Sequence, residues 1–273
     1  MTTTPPPTTA RDELLRVDGP ADADPVLLLP GTAGRSGELD GLTRRLAGPF
    51  RVLRLDLPGT GRSRAWADDL PLLDVTATAA AVAALLAECG AQPRAVVGHS
   101  AGGIVAVEVA RALRADSGDV AGAVLLDANL PTDPAASRDK RARAEKLSRL
   151  PDAPLREAFA ASMRRSWGGR DVGGPAFRQV MDGVDAAGAR VIREFWLSVL
   201  GLDSVAFWRR LELPAVYLHS DRPVDPGALT VLTDRVRYVE AAQRSAGHWI
   251  HLVEPALTGD LVHDALTSLL APE

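Results

Sequence analysis

The chain has 273 residues, 46% of them hydrophobic, with 35 acidic against 31 basic side chains and a formal net charge of −4. That is enough apolar material for one sizeable core and excludes a wholly disordered chain. The charge is mild and the arginines are scattered, which argues against a nucleic-acid partner; no apolar stretch approaches the roughly 18 residues of a membrane helix, so a cytoplasmic protein without a membrane partner is expected.

Residues 1–10 are dominated by Thr and Pro and read as a flexible tail, taken to run to residue 13. Short runs rich in Val and Leu then alternate with Ala-rich helical patterns. Strands are predicted at 25–29, 51–57, 95–97, 121–126, 215–219 and 235–240, and helices at 37–46, 75–89, 102–115 and 256–270. This alternation predicts an α/β fold, a mostly parallel central sheet with helices on both faces. From Asn129 to about Phe207 the strand signal vanishes, and amphipathic helices broken by Pro and Gly clusters take over. They predict a helical cap inserted at about 130–207 into a single domain spanning 14–273. Its Met163, Trp167, Phe177, Met181, Phe195, Trp196, Phe207 and Trp208 are expected to form the cap's own core, with some lining an apolar pocket. The basic segment 138–149 reads as a solvated helix face. Cys89, the single cysteine, reads as a packed thiol with no disulfide or metal partner.

In an open parallel sheet, ligands bind beyond the carboxyl ends of the strands. One such turn reads Gly98-His99-Ser100-Ala101-Gly102, directly after a predicted strand and before a predicted helix. A G-x-S-x-G match recurs by accident in a Gly- and Ala-rich chain, but strand-turn-helix context makes it specific. The serine of such a turn sits on a strained backbone that tolerates only small neighbours. Ser100 is therefore the candidate nucleophile.

With this turn the sequence resembles the α/β-hydrolase family from about Leu14 onward. Leu27-Leu28-Leu29-Pro30-Gly31-Thr32 is similar to the family's oxyanion-loop strand, with Pro30 where His is usual; Asp56-Leu57-Pro58-Gly59-Thr60-Gly61-Arg62-Ser63 is similar to the turn after the next strand. Gly247-His248-Trp249-Ile250-His251-Leu252-Val253-Glu254-Pro255 is similar to the catalytic-histidine segment. Together these supply nucleophile, base and anion stabiliser: Ser100, His248, and the backbone N–H groups of Thr32 and Ala101. His248 and His251 are three apart, but no neighbouring carboxylate or thiol completes a metal set, and neither metal nor cofactor is expected.

The acid is left open. The family's usual position after the fifth strand falls on Pro223, with Asp221 two residues early and Asp225 two late. An alternative family position, at the end of the strand after the nucleophile helix, falls on Asp127. Asp127 is preferred, with Asp225 as the alternative. The expected activity is hydrolysis of a small-molecule carboxylic ester, lactone or thioester through an acyl-enzyme. Two rivals stand beside it: a non-hydrolytic small-ligand receptor on this fold, and a carrier-protein thioesterase or cyclase docking through the basic segment.

Overall fold

The computed structural model describes residues 12–168, 171–241 and 247–271. Of the tail expected over 1–13, residues 1–11 lie outside this range, and Asp12–Leu14 forms a single 3-10 turn. Seven strands make one sheet: β1 (Arg16–Asp18), β2 (Pro25–Leu29), β3 (Arg51–Arg54), β4 (Ala95–His99), β5 (Gly122–Leu126), β6 (Ala215–His219) and β7 (Val236–Glu240). Their spatial order is β1-β3-β2-β4-β5-β6-β7. Only β1 runs antiparallel, on β3; the other pairs are parallel.

The central strands are apolar on both faces, as a doubly covered sheet requires. Alternate residues point to opposite sides: Leu27, Leu29, Val96, Ala123 and Leu125 enter one core cluster, while Val26, Leu28, Val97, Val124 and Leu126 enter the other. Helices α2 (Val75–Glu88) and α3 (Ala101–Ser117) supply the first cluster, and α1 (Asp40–Leu46) and α11 (Pro255–Leu270) the second.

Between β5 and β6 the chain runs through α4 (Pro134–Ser148), α5 (Asp152–Trp167), α6 (Pro175–Ala186), a π-helical stretch (Val191–Trp196), α7 (Leu197–Gly201) and α8 (Ser204–Arg209). Short helices α9 (Pro226–Leu232) and α10 (Ile250–Val253) complete the set.

Three differences from the sequence expectations have local causes. The strand predicted at 51–57 leaves the ladder after Arg54, because Asp56 turns the chain by accepting the N–H groups of Ser36 at 2.5 Å and Arg62 at 2.7 Å. The strand predicted at 95–97 continues through His99, which pairs with Leu126. Strand β1 was not predicted, since its three residues carry no apolar alternation; it is tied to β3 by an Arg54–Asp18 ion pair at 2.7 Å.

Candidate active site

Strand β4 delivers Ser100 into a left-handed conformation, φ 55° and ψ −120°, from which α3 starts at once. The neighbours must be small because the strand and helix nearly touch there. A Cβ on Gly98 would strike the Gly102 carbonyl, and one on Gly102 would strike that of Pro30. Ser100 is one of four non-glycine residues with positive φ among those described; Ala33 and Asp127 are two others, and all three of these lie around the same site. Each such residue costs about 1–3 kcal/mol, a strain that persists where the surrounding structure over-determines it.

Ser100 Oγ lies 2.9 Å from His248 Nε2, and His248 Nδ1 lies 2.7 Å from Asp127 Oδ2. The Nδ1 proton is donated to the carboxylate, leaving Nε2 to accept the serine O–H. Asp127 is fully buried at the end of β5. Its other oxygen accepts three backbone N–H groups, from Ser220 at 2.9 Å, Asp221 at 2.8 Å and Arg222 at 3.1 Å. Burial pushes its pKa up, but the hydrogen bond and charge of His248 and those backbone donors outweigh it, bringing the group down to about 2. The loop after β6 therefore contributes backbone donors to this carboxylate. Asp221 gives this carboxylate its N–H, and its charge adds to the upward pull on the His248 pKa. Asp225, the alternative acid, is not on His248: it caps α9, accepting the Ala228 N–H at 2.6 Å.

His248 is also buried, and its ring is held neutral, its pKa lowered to about 4 by burial first and then by the Arg222 charge, against the opposing pull of Asp127. Beneath it, His99 Nε2 donates to the His248 carbonyl at 2.9 Å. Ser220 Oγ donates to the Gly247 carbonyl at 2.6 Å. His251 lies against His99 with the rings tilted by 46° and their centroids 4.2 Å apart. His219 bonds the Arg222 carbonyl at 2.8 Å, and His263 lies against Phe50.

Ala101 is the first residue of α3, so its N–H is one of those a helix leaves without an intrahelical partner. Thr32 lines the same cavity as Ser100 and His248. Its turn is set by Ala33, φ 59°, and by a Gly34 N–H to Gly31 carbonyl bond of 3.0 Å. Pro30 lends its carbonyl to close contact with Gly102.

The segment after Asp127 is pinned one carbonyl at a time. Tyr217 Oη donates to Ala128 at 2.8 Å, Lys140 Nζ to Asn129 at 3.0 Å and Trp208 Nε1 to Leu130 at 2.9 Å. Lys140 corrects the reading of 138–149 as a wholly solvated face: burial brings its ammonium down to about 7. Of the aromatic and Met residues expected to form the insertion's core with some lining a pocket, Met163 and Trp196 line the Ser100 cavity. Trp167 packs edge-on against Phe177, and Phe207 against Trp208. Arg143 and Arg222 also line the cavity, and the sequence held no local signal for either.

Comparison with known proteins adds a family match and structural likenesses. A family model described as the alpha/beta hydrolase family matches residues 26–260. A hydrolase from Pseudomonas aeruginosa PA01 superposes with a TM-score of 0.71 at 20% identity, covering 94% of each chain. A thermophilic esterase from Thermogutta terrifontis gives 0.68 at 20% identity, covering 94% of this chain and 93% of that one. The enol-lactonase from Burkholderia xenovorans LB400 gives 0.66 at 20% identity, covering 93% and 95%. At these identities the likeness is one of fold.

Proposed function

The chain belongs to the alpha/beta hydrolase family, and on that premise we propose that it is a serine hydrolase cleaving a carboxylic ester, lactone or thioester through an acyl-enzyme on Ser100. The observation that carries this reading is the hydrogen-bonded series from Ser100 Oγ through His248 to Asp127, at 2.9 and 2.7 Å.

A serine hydroxyl is a weak nucleophile at neutral pH and needs a base within hydrogen-bond reach. His248 takes the proton as Oγ attacks the carbonyl carbon, and Asp127 steadies the imidazolium so formed. The oxyanion gathers on the N–H groups of Thr32 and Ala101, each donor of this kind contributing about 2.7–4 kcal/mol. Collapse expels the alcohol or thiol, which takes the proton from His248. Water, deprotonated by the same ring, then releases the acid.

The nucleophile also bears on reaction type within this fold. A hydroxyl opening an epoxide or displacing a halide would leave an ether on the enzyme, which water does not cleave under these conditions. An acyl ester is hydrolysed readily.

The test is a fluorophosphonate probe followed by peptide mass spectrometry, beside turnover of short aryl esters. Rapid labelling at Ser100, abolished in His248→Ala, is expected. Absence of labelling together with absence of turnover would refute the proposal.

A further inference from the structure

The cavity holding Ser100 is small, and cationic groups stand in its wall. At about 70 Å3 it falls well below the roughly 300–1,000 Å3 of drug-sized sites. Met163, Trp196, Val199 and Leu200 of the insertion give it an apolar side, while Arg143 reaches it from α4 and Arg222 from the loop after β6.

Neither guanidinium is paired with a carboxylate among the described residues. Arg143 Nη2 lies 3.5 Å from the Ser162 hydroxyl, a long and weak contact. Arg222 Nε lies 3.2 Å from His248 Nδ1. That nitrogen carries the proton shared with Asp127, so it has no lone pair to receive another N–H. The contact is a cation beside a neutral ring, with its donors unspent.

Other arginines of this protein find counter-charges: Arg54 bonds Asp18, Arg190 bonds Glu194 and Arg193 bonds Asp152. Of the two at the cavity, Arg143 instead faces like charge, while the Arg222 guanidinium lies against His248, on whose Nδ1 Asp127 also sits. Arg143 is held below its ordinary value by burial first, then by Arg165 and Arg222. An anion entering this opening would relieve the repulsion and occupy planar donors suited to a carboxylate.

We infer that the acyl group attacked by Ser100 carries a carboxylate a few carbons from the scissile carbonyl, received by Arg143 and Arg222. This rests on the serine-hydrolase reading and names its substrate class. The short reach follows from the cavity volume of about 70 Å3, which admits only a small acyl group alongside Ser100 and the two arginines that line it. A long neutral chain would leave both cations unpaired.

The test compares 4-nitrophenyl hydrogen glutarate with 4-nitrophenyl 5-methylhexanoate, in which an isopropyl group replaces the carboxylate. Wild-type kcat/KM is expected to favour the hemiester by about 10- to 100-fold, the worth of a hydrogen-bonded charge. Arg143→Gln and Arg222→Gln should each bring the ratio toward one, and Arg143→Lys should restore part of it. Glutarate binding by titration calorimetry, which needs no turnover, should be seen with wild type and be lost in both Gln variants. Turnover of both esters with a ratio near one, or a preference unchanged in the variants, would overturn the inference and leave the hydrolase reading standing. If no ester is turned over and Ser100 takes no fluorophosphonate label, but glutarate binds wild type alone, the hydrolase reading falls and the anion subsite stands. Failure of glutarate to bind a chain that turns over neither ester and takes no label overturns both.

Discussion

Asp127 takes one oxygen to His248 and the other to three backbone N–H groups, so Asp127→Asn keeps the shape but presents an NH2 group where only an acceptor fits. The variant is expected to lower kcat by about 10⁴-fold on the best ester found. Asp225→Asn should leave both rate and Tm nearly unchanged, because Asn caps a helix as well as Asp does. The pH profile offers a second check. His248 acts as a base only when unprotonated, so kcat/KM should stay level through neutrality and fall as pH drops through about 4. Arg222→Gln removes a charge that holds that value down, and the acid limb should move to higher pH. Ser100 and His248 could be nominated from sequence because each sits in a contiguous motif. The acid could not be fixed by spacing, since the loop at 220–222 turns out to offer backbone rather than a side chain. Arg143 and Arg222 lie 79 positions apart and meet only in the folded chain.

At the scale of elements, the meeting of β4 with α3 is the tightest joint of the site. Gly102→Ala drives a methyl into the Pro30 carbonyl, a backbone atom that cannot step aside. It should destabilise the fold by about 3 kcal/mol or more and abolish probe labelling at Ser100. Gly37→Ala, with open space around its Cβ and an ordinary φ, is the control and should be silent by thermal melt and by labelling. Long periodic helices were legible to within a residue or two: 75–89 was expected and Val75–Glu88 forms. Short elements set by tertiary contacts were not, as β1 and α9 show. The π-helical stretch Val191–Trp196 carries no pattern distinguishing it from an ordinary helix, yet it places Trp196 in the cavity wall.

Across the whole molecule, the two-sided sheet was readable because strands buried on both faces are apolar throughout, whereas the packing of the insertion depends on side-chain directions that periodicity leaves unset. Burial has also left charges whose titration governs stability. Glu38 is buried with its pKa raised to about 8 by desolvation, opposed by the N–H and charge of Arg35. Because the folded value lies above the unfolded 4.5, its contribution is fully present below pH 4.5 and is lost as pH rises to about 8. Glu38→Gln should therefore leave the pH 4.5 melt little changed and raise stability at pH 8.5 by up to about 4 kcal/mol. Equal effects at both pH values would exclude this account. The joining of Asp127 to His248 spans 121 positions, and that separation sets a clock on biosynthesis. At about 5–20 residues per second, Asp127 leaves the ribosome about 6–24 s before His248 and Ser100 about 7–30 s before it. On the proposed function, a nascent chain holds its nucleophile and acid without their base throughout that interval.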